Sequence, residues 1–228
     1  MKFMFDCDDT LYDLRWPFQM AIQEVLPEAM HLDFSKFYKD YRDAGDEIFY
    51  KIQNGEMTTD ESGIYRIYQS SRHFGIDISM DRSEQFQKAY KKYQHQISMD
   101  SELKEYLMKQ DLEYAIFTNG ENNHQRMKCS ALQVEDFVKP DHLFTSGEIG
   151  YAKPDIRAYE EIFRRLHDDP SHWCYVGDNY VNDMEGAKNA GMHTIHFNRH
   201  RTKEGNASDY VVYNEKELIE CMESLKNL

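Results

Sequence analysis

The sequence predicts an α/β protein: a parallel sheet with helices on both faces, interrupted by an inserted four-helix module. Three observations predict it. Residues 3–5 (Phe-Met-Phe) form a short apolar run stopped by acidic residues, the pattern of a buried strand. From about Arg15 to Ile97 every periodic pattern is helical. After Asp100, strand and helix patterns alternate, which implies parallel strands joined by covering helices.

Within the helical stretch, Pro17 suits a first helical position, with Phe18, Ile22, Val25 and Leu26 on one face. Phe37, Tyr41, Ile48 and Ile52 share one side of a longer helix. Thr58 with Glu61, and Asp81 with Glu84, read as capping boxes ahead of a third and a fourth helix. After Asp100 the order is helix (SELKEYLMKQ), strand (YAIFTN), helix (ENNHQRMKCSAL), strand (HLFT) and helix (PDIRAYEEIFRRL). Then come strand (WCYVG), helix (NDMEGAKNA, stopped by Gly191), strands HTIHF and DYVVY, and a helix from about Glu215. No Pro/Gly/Ser-rich linker flanks the helical stretch. The division is therefore a core of residues 1–14 and 97–228 with residues 15–96 inserted.

Composition narrows the function. The 228 residues carry a net charge of −14, from 27 basic and 41 acidic side chains. Such a surface repels a phosphate backbone, so no nucleic-acid partner is expected. No apolar stretch approaches the ~18 residues of a membrane span, and the N-terminal apolar run is too short for a signal-peptide core. A cytoplasmic protein without a membrane partner is expected, as a monomer or weak homo-oligomer. Cys7, Cys129, Cys174 and Cys221 lack metal-type spacing and read as free thiols, chiefly buried.

In open α/β sheets, ligands bind beyond the carboxyl ends of the strands. Asp6, Asp8, Asp9 and Thr10 follow the first predicted strand, and Thr118, Asn119 and Gly120 the second. Lys153 and Pro154 stand in the loop after the third, and Asp178, Asn182 and Asp183 after the fourth. Carboxylates converging on one rim repel one another without a cation. An oxygen-only ligand set favours a hard ion such as Mg²⁺.

These residues resemble the four motifs of the haloacid dehalogenase superfamily. FDCDDTL is similar to its DxDx(T/V) first motif, Thr118-Asn119 to the second, Lys153 in GYAKP to the third and GDNYVND to the fourth. The resemblance implies a Rossmann-like core and a phosphatase in which Asp6 attacks phosphorus and forms an aspartyl-phosphate that water cleaves. It implies that Asp8 protonates the leaving oxygen and later takes the proton of the attacking water. Thr118 and a nearby backbone N–H would hold phosphoryl oxygens at a helix N-terminus, with Asn119 beside them. Lys153 would neutralise charge on Asp6 and the phosphoryl group. Mg²⁺ would be bound by Asp6, Asp178 and the carbonyl of Asp8, with Asp183 orienting Lys153 or metal-bound waters. The sequence departs from the family at Asp9, where glycine is commonest; Asp tolerates unusual backbone angles better than most residues.

Helices inserted after the first motif resemble the superfamily's caps, which exclude water and select small substrates. Trp16, Phe18, Phe37, Tyr41, Phe49, Tyr50, Tyr65 and Tyr68 either fill the module's interior or stack on a base, and filling is the expected role. Segments near Asp43–Glu47 and Asn54–Thr59 are expected as loops that meet the substrate. The opening FDCDDTLYD resembles capped nucleotidases, so a small phosphorylated metabolite, first a nucleoside monophosphate, is the expected partner. A phosphosugar mutase and a non-catalytic phospholigand binder are the alternatives. Dehalogenation, which needs neither an acid at Asp8 nor a metal, fits less well.

Overall fold

The computed structural model describes residues 1–226. Five short runs of apolar residues and a C-terminal sixth become strands: β1 (Lys2–Phe5), β2 (Tyr114–Thr118), β3 (Leu143–Thr145), β4 (Trp173–Gly177), β5 (His193–Phe197) and β6 (Tyr210–Val212). All pair in parallel in the order β3-β2-β1-β4-β5-β6. β2 and β4 are buried along their whole length, as parallel strands covered on both faces must be. Phe3, Met4 and Phe5 are fully buried, and each such side chain contributes about 1.5–3 kcal/mol by leaving water. β1 lies between β2 and β4, so the strand order reverses there, and a crevice opens at such a switch point.

The helices are α1 (Arg15–Val25), α2 (Phe34–Gln53), α3 (Thr59–His73), α4 (Met80–Gln94), α5 (Ser101–Lys109), α6 (Asn122–Ala131), α7 (Ser146–Ile149), α8 (Ile156–Leu166), α9 (Gly186–Asn189) and α10 (Glu215–Leu225). The chain divides into two compact units, Met1–Asp13 with Ser98–Leu228, and Leu14–Ile97. The first holds the sheet and α5 to α10; the second is α1 to α4. In the second unit Phe18, Phe37, Tyr41 and Phe86 are buried in one cluster, while Trp16, Phe49 and Tyr50 are exposed. Interior filling thus accounts for only part of the aromatic content. No helix of the described residues is long and apolar enough to cross a membrane. Cys7, Cys129 and Cys174 are buried free thiols, and Cys221 is partly exposed.

Three local expectations need correction. The Thr58–Glu61 capping box is present, but α4 is capped by Ser79, whose side chain accepts from the Arg82 N–H. Asp81 falls inside the first turn, where its carboxylate accepts from Gln85 instead. Asp43–Glu47 is the middle of α2, not a loop, because the apolar period runs through it unbroken. The segment read as one helix from Asn182 starts at Tyr180 as a wide turn through Glu185, capped by Asn179, before α9. Gly191 ends it at φ 88°, in the left-handed region expected of a stop.

Asp168 ties the amino ends of β1 and β4 together. Its carboxylate accepts from Lys2 at 2.8 Å, His172 at 2.7 Å, the Trp173 indole at 2.8 Å and the Asp169 N–H at 2.8 Å. Burial works against its ionisation, but these donors outweigh it and hold the carboxyl far below the usual range. A folded-state pKa below the unfolded one gives stability present above the unfolded pKa and lost as pH falls towards the folded one. Asp168→Asn is expected to cost about 1–3 kcal/mol at pH 7. In thermal melts the deficit should shrink below about pH 4, the ordinary aspartate value; a gap as wide at pH 3 as at pH 7 would refute this account.

Candidate active site

At the carboxyl end of β1 the ladder runs one residue further, the Asp6 N–H donating to the Val176 carbonyl at 2.9 Å. That bond fixes the backbone of Asp6 beside β4. The Asp6 carboxylate is nearly buried and its Oδ1 accepts from Lys153 Nζ at 2.8 Å. Lys153 comes from the loop before α8, and its Nζ also donates to Asp183 Oδ1 at 2.7 Å and to the Tyr175 hydroxyl at 2.8 Å. Three donors meet three acceptors, so the buried ammonium is fully satisfied. Burial alone would lower the Lys153 pKa; Asp183 and Asp6 outweigh it and raise it. Burial raises the Asp6 carboxyl to about 6, opposed by Lys153 and reinforced by Asp183 and Asp8.

Asn119 serves the same lysine from behind. Its side chain accepts from the Lys153 N–H at 2.8 Å and donates to the Lys153 carbonyl at 3.1 Å, a two-point clamp on that peptide. Thr118, the last residue of β2, is buried at the sheet's carboxyl edge. Three of the N–H groups around the following helix N-terminus have partners within the protein. Glu121 caps α6 by accepting from the N–H groups of Asn123 and His124, and the Gly120 N–H donates to Ser146 Oγ. Gly120 has φ 144°, and a Cβ there would meet Gln125 Nε2 at 2.3 Å. Only glycine fits that turn.

Asp183 is buried because the wide turn after β4 folds it back. Its Oδ2 accepts from the Asn179 N–H at 2.9 Å, and both carboxylate oxygens are thereby engaged. A Cβ at Gly177 would lie 2.4 Å from that Oδ2, so glycine is what lets Asp183 approach. Asp6, Asp178 and Asp183 can each offer a carboxylate oxygen within 4.8 Å of the others. Three carboxylates against one lysine leave two negative charges in excess, and the donors are all oxygen, which fits a hard divalent cation. His196, whose imidazole pKa is pushed down by burial, donates from Nε2 to the Asp178 carbonyl at 2.9 Å.

Asp8 sits in a second bonded group. Its carboxylate accepts from the Tyr12 hydroxyl at 2.5 Å and from Lys128 Nζ at 2.6 Å on both oxygens. Asp9, the departure from glycine, stands at φ 55°, a left-handed conformation that aspartate tolerates.

The structure therefore joins Asp6, Lys153 and Asp183 directly and attaches Asn119 to Lys153. It sets Asp178 within metal-sharing distance of Asp6 and Asp183. Sequence reasoning missed Tyr175, Lys128, Gln125 and His196. Tyr175 looks like one more apolar strand residue, although its hydroxyl links Lys153 to the Phe117 carbonyl. Lys128 and Gln125 look like solvated helix residues; their three-residue spacing, which puts them on one face, is the only signal they carry.

A pyrimidine 5'-nucleotidase of Streptococcus pneumoniae is 25% identical over 96% of this chain and 94% of its own length. A glyceraldehyde 3-phosphate phosphatase of Methanocaldococcus jannaschii is 24% identical over 99% of this chain and 96% of its own. Among solved structures, the magnesium-bound HAD-hydrolase YfnB of Bacillus subtilis superposes with a TM-score of 0.71, at 22% identity and 97% coverage of both chains. That likeness concerns the fold. The family model described as haloacid dehalogenase-like hydrolase matches residues 3–197, most of the sheet unit together with the inserted helices. The chain belongs to the haloacid dehalogenase-like hydrolase family.

Proposed function

We propose that this protein is a Mg²⁺-dependent phosphatase of small phosphorylated metabolites, with a nucleoside monophosphate as the first substrate class. The observation that carries the reading is the buried bridge from Lys153 Nζ to Asp6 and Asp183, with further carboxylates beside it. A lysine so placed neutralises negative charge on Asp6 and the phosphoryl group as it redistributes between them over the two half-reactions.

In the first half-reaction an oxygen of Asp6 bonds to phosphorus in line with the leaving group. The bond to the ester oxygen breaks, and that oxygen takes a proton from Asp8. In the second, water attacks the phosphorus of the aspartyl-phosphate and gives its proton to Asp8, freeing phosphate and restoring Asp6. Lys153 stays bonded to Asp183 throughout and is held in place by Asn119 and Tyr175. Mg²⁺ held by Asp6, Asp178 and the carbonyl of Asp8 would offset the carboxylate charge and polarise the phosphoryl oxygens. Asp183, engaged at both oxygens, acts through Lys153.

The nucleotide preference is supported by the likeness to a pyrimidine nucleotidase along nearly the whole chain. The triose-phosphate phosphatase makes a sugar phosphate the next class to test. The helices inserted after the first motif are proposed as the cap that selects the substrate. Trp16, Phe49 and Tyr50, which are exposed within that unit, are its candidates for stacking.

The test is phosphate release from nucleoside monophosphates, sugar phosphates and p-nitrophenyl phosphate in Mg²⁺. Turnover is expected to vanish with a chelator and to return when Mg²⁺ is restored in excess. Turnover that survives chelation would overturn the metal assignment, and isomerised sugar phosphate without free phosphate would make the protein a mutase.

A further inference from the structure

A buried lysine touches the proton carrier Asp8 and makes its side-chain hydrogen bonds there rather than at Asp6 or Lys153. Lys128, on α6, is 2% exposed, and its Nζ lies 2.6 Å from both oxygens of Asp8. Gln125, one turn earlier on the same face, donates to the Asn119 carbonyl at 2.6 Å and reaches Asp8 Oδ2 at 3.5 Å. The Tyr12 hydroxyl donates to Asp8 Oδ1 at 2.5 Å.

Burying an ammonium costs several kcal/mol that a methionine of the same shape would not incur. Packing alone therefore does not explain a lysine at this position. The exposures of the pair are unequal: the Lys128 side chain is 2% accessible and that of Asp8 26%. The carboxylate is partly accessible to solvent and the ammonium is not, so Lys128 can act on the reaction only through Asp8. Two equal bonds from one nitrogen, with Tyr12 on Oδ1, fix the plane and direction of the carboxylate.

We propose that Lys128 is a positioning residue for the second half-reaction, holding Asp8 aimed at the water whose proton it takes. The inference rests on the reading of Asp8 as the proton carrier. Proton transfer needs a heavy-atom approach of roughly 2.6–3.2 Å. A displacement of about 1 Å costs on the order of 100-fold.

The test uses 2,4-dinitrophenyl phosphate, whose leaving group departs without a proton, followed by rapid-mixing absorbance in Mg²⁺. In Lys128→Met the first turnover should stay within about threefold of wild type, while steady-state turnover falls about 100-fold. Phosphoenzyme then accumulates, and dinitrophenolate appears as a burst approaching one equivalent per active site. The burst amplitude counts folded sites, so partial unfolding changes the amplitude and neither rate. Lys128→Gln, which keeps a donor, should recover part of the turnover. In an Asp8→Asn background, Lys128→Met should cause no further loss, because both changes act on one step.

The proposal is overturned if burst rate and turnover fall together, if turnover is unchanged, or if the two losses multiply. Asp8→Asn with no burst and wild-type turnover would remove Asp8 as the base, and the proposal with it. A wild type that releases no phosphate from any ester would instead refute the phosphatase reading.

Discussion

Asp6→Asn is expected to reduce phosphate release by about four orders of magnitude or more, the loss typical of removing a nucleophile. The substitution preserves shape and replaces the anionic carboxylate oxygen that must bond to phosphorus by a neutral, weakly nucleophilic amide oxygen, which does not form a stable acyl phosphate. It also removes one of the two carboxylates bridged by Lys153. The stability consequence has the opposite sign. Burial raises the Asp6 carboxyl to about 6, above its unfolded value. A group with a raised folded-state pKa contributes stability below its unfolded pKa and loses it as pH rises through the folded one. At pH 7 without Mg²⁺ the ionised carboxylate is therefore a cost, and the neutral amide should melt higher, by about 1–3 kcal/mol. That advantage should fade as pH falls from 6 to 4. Chelated samples melted between pH 4 and 7 would check it. An inactive variant that is less stable than wild type at pH 7 would show that the ion pair with Lys153 outweighs burial.

The same residue shows how far sequence reasoning reaches. Asp6 and Asp178 were legible because each stands just after an apolar strand, and the strand pattern alone sends such residues to one edge of the sheet; Lys153, in the loop before α8, was legible only through its resemblance to the third motif. Asp9 was legible as an exception, and its φ of 55° supplies the reason that glycine commonly occupies that position. Tyr175 was not legible. Its hydroxyl meets the Phe117 carbonyl from a strand 58 residues away, and only the register of the sheet creates that contact. Lys128 was hidden for a related reason: helical periodicity counts lysine as a solvated residue, and its partner Asp8 is 120 residues distant. Asn182–Glu185, the part of the wide turn that the sequence presents as helix, carries ordinary helical residues. What distinguishes it is that Asn179 caps the turn and Asp183 bonds back to the Asn179 N–H. Pattern identifies which strand end a residue follows; it does not say which side chains meet across the sheet.

Lys153→Met is the second large expectation, and it separates charge from shape. The stem is replaced by one of similar volume, and the three bonds from Nζ are lost. Removing the cation at which transferred charge collects should lower kcat by about 10²–10³-fold. Asp6 and Asp183 are then left facing each other, buried and uncompensated. Breaking a buried ion pair by deleting one partner costs about 3–5 kcal/mol at neutral pH. Lys153 opposes the rise of the Asp6 carboxyl, so without the ammonium Asp6 titrates higher still in the folded protein. By the same linkage the deficit is present at neutral pH and shrinks as acid protonates Asp6. The variant should therefore gain stability relative to wild type between pH 7 and pH 5. Millimolar Mg²⁺ should also stabilise the variant, because an ion that binds only the folded form adds RT ln(1 + [Mg²⁺]/Kd). Melting curves with and without Mg²⁺ at both pH values test this. If the deficit is independent of both acid and Mg²⁺, the lost stability comes from packing, and Lys153 is not the counter-charge of Asp6 and Asp183. If acid and Mg²⁺ both restore stability while kcat stays low, the lysine is needed during phosphoryl transfer itself, where neither substitute reproduces its bond to Asp6.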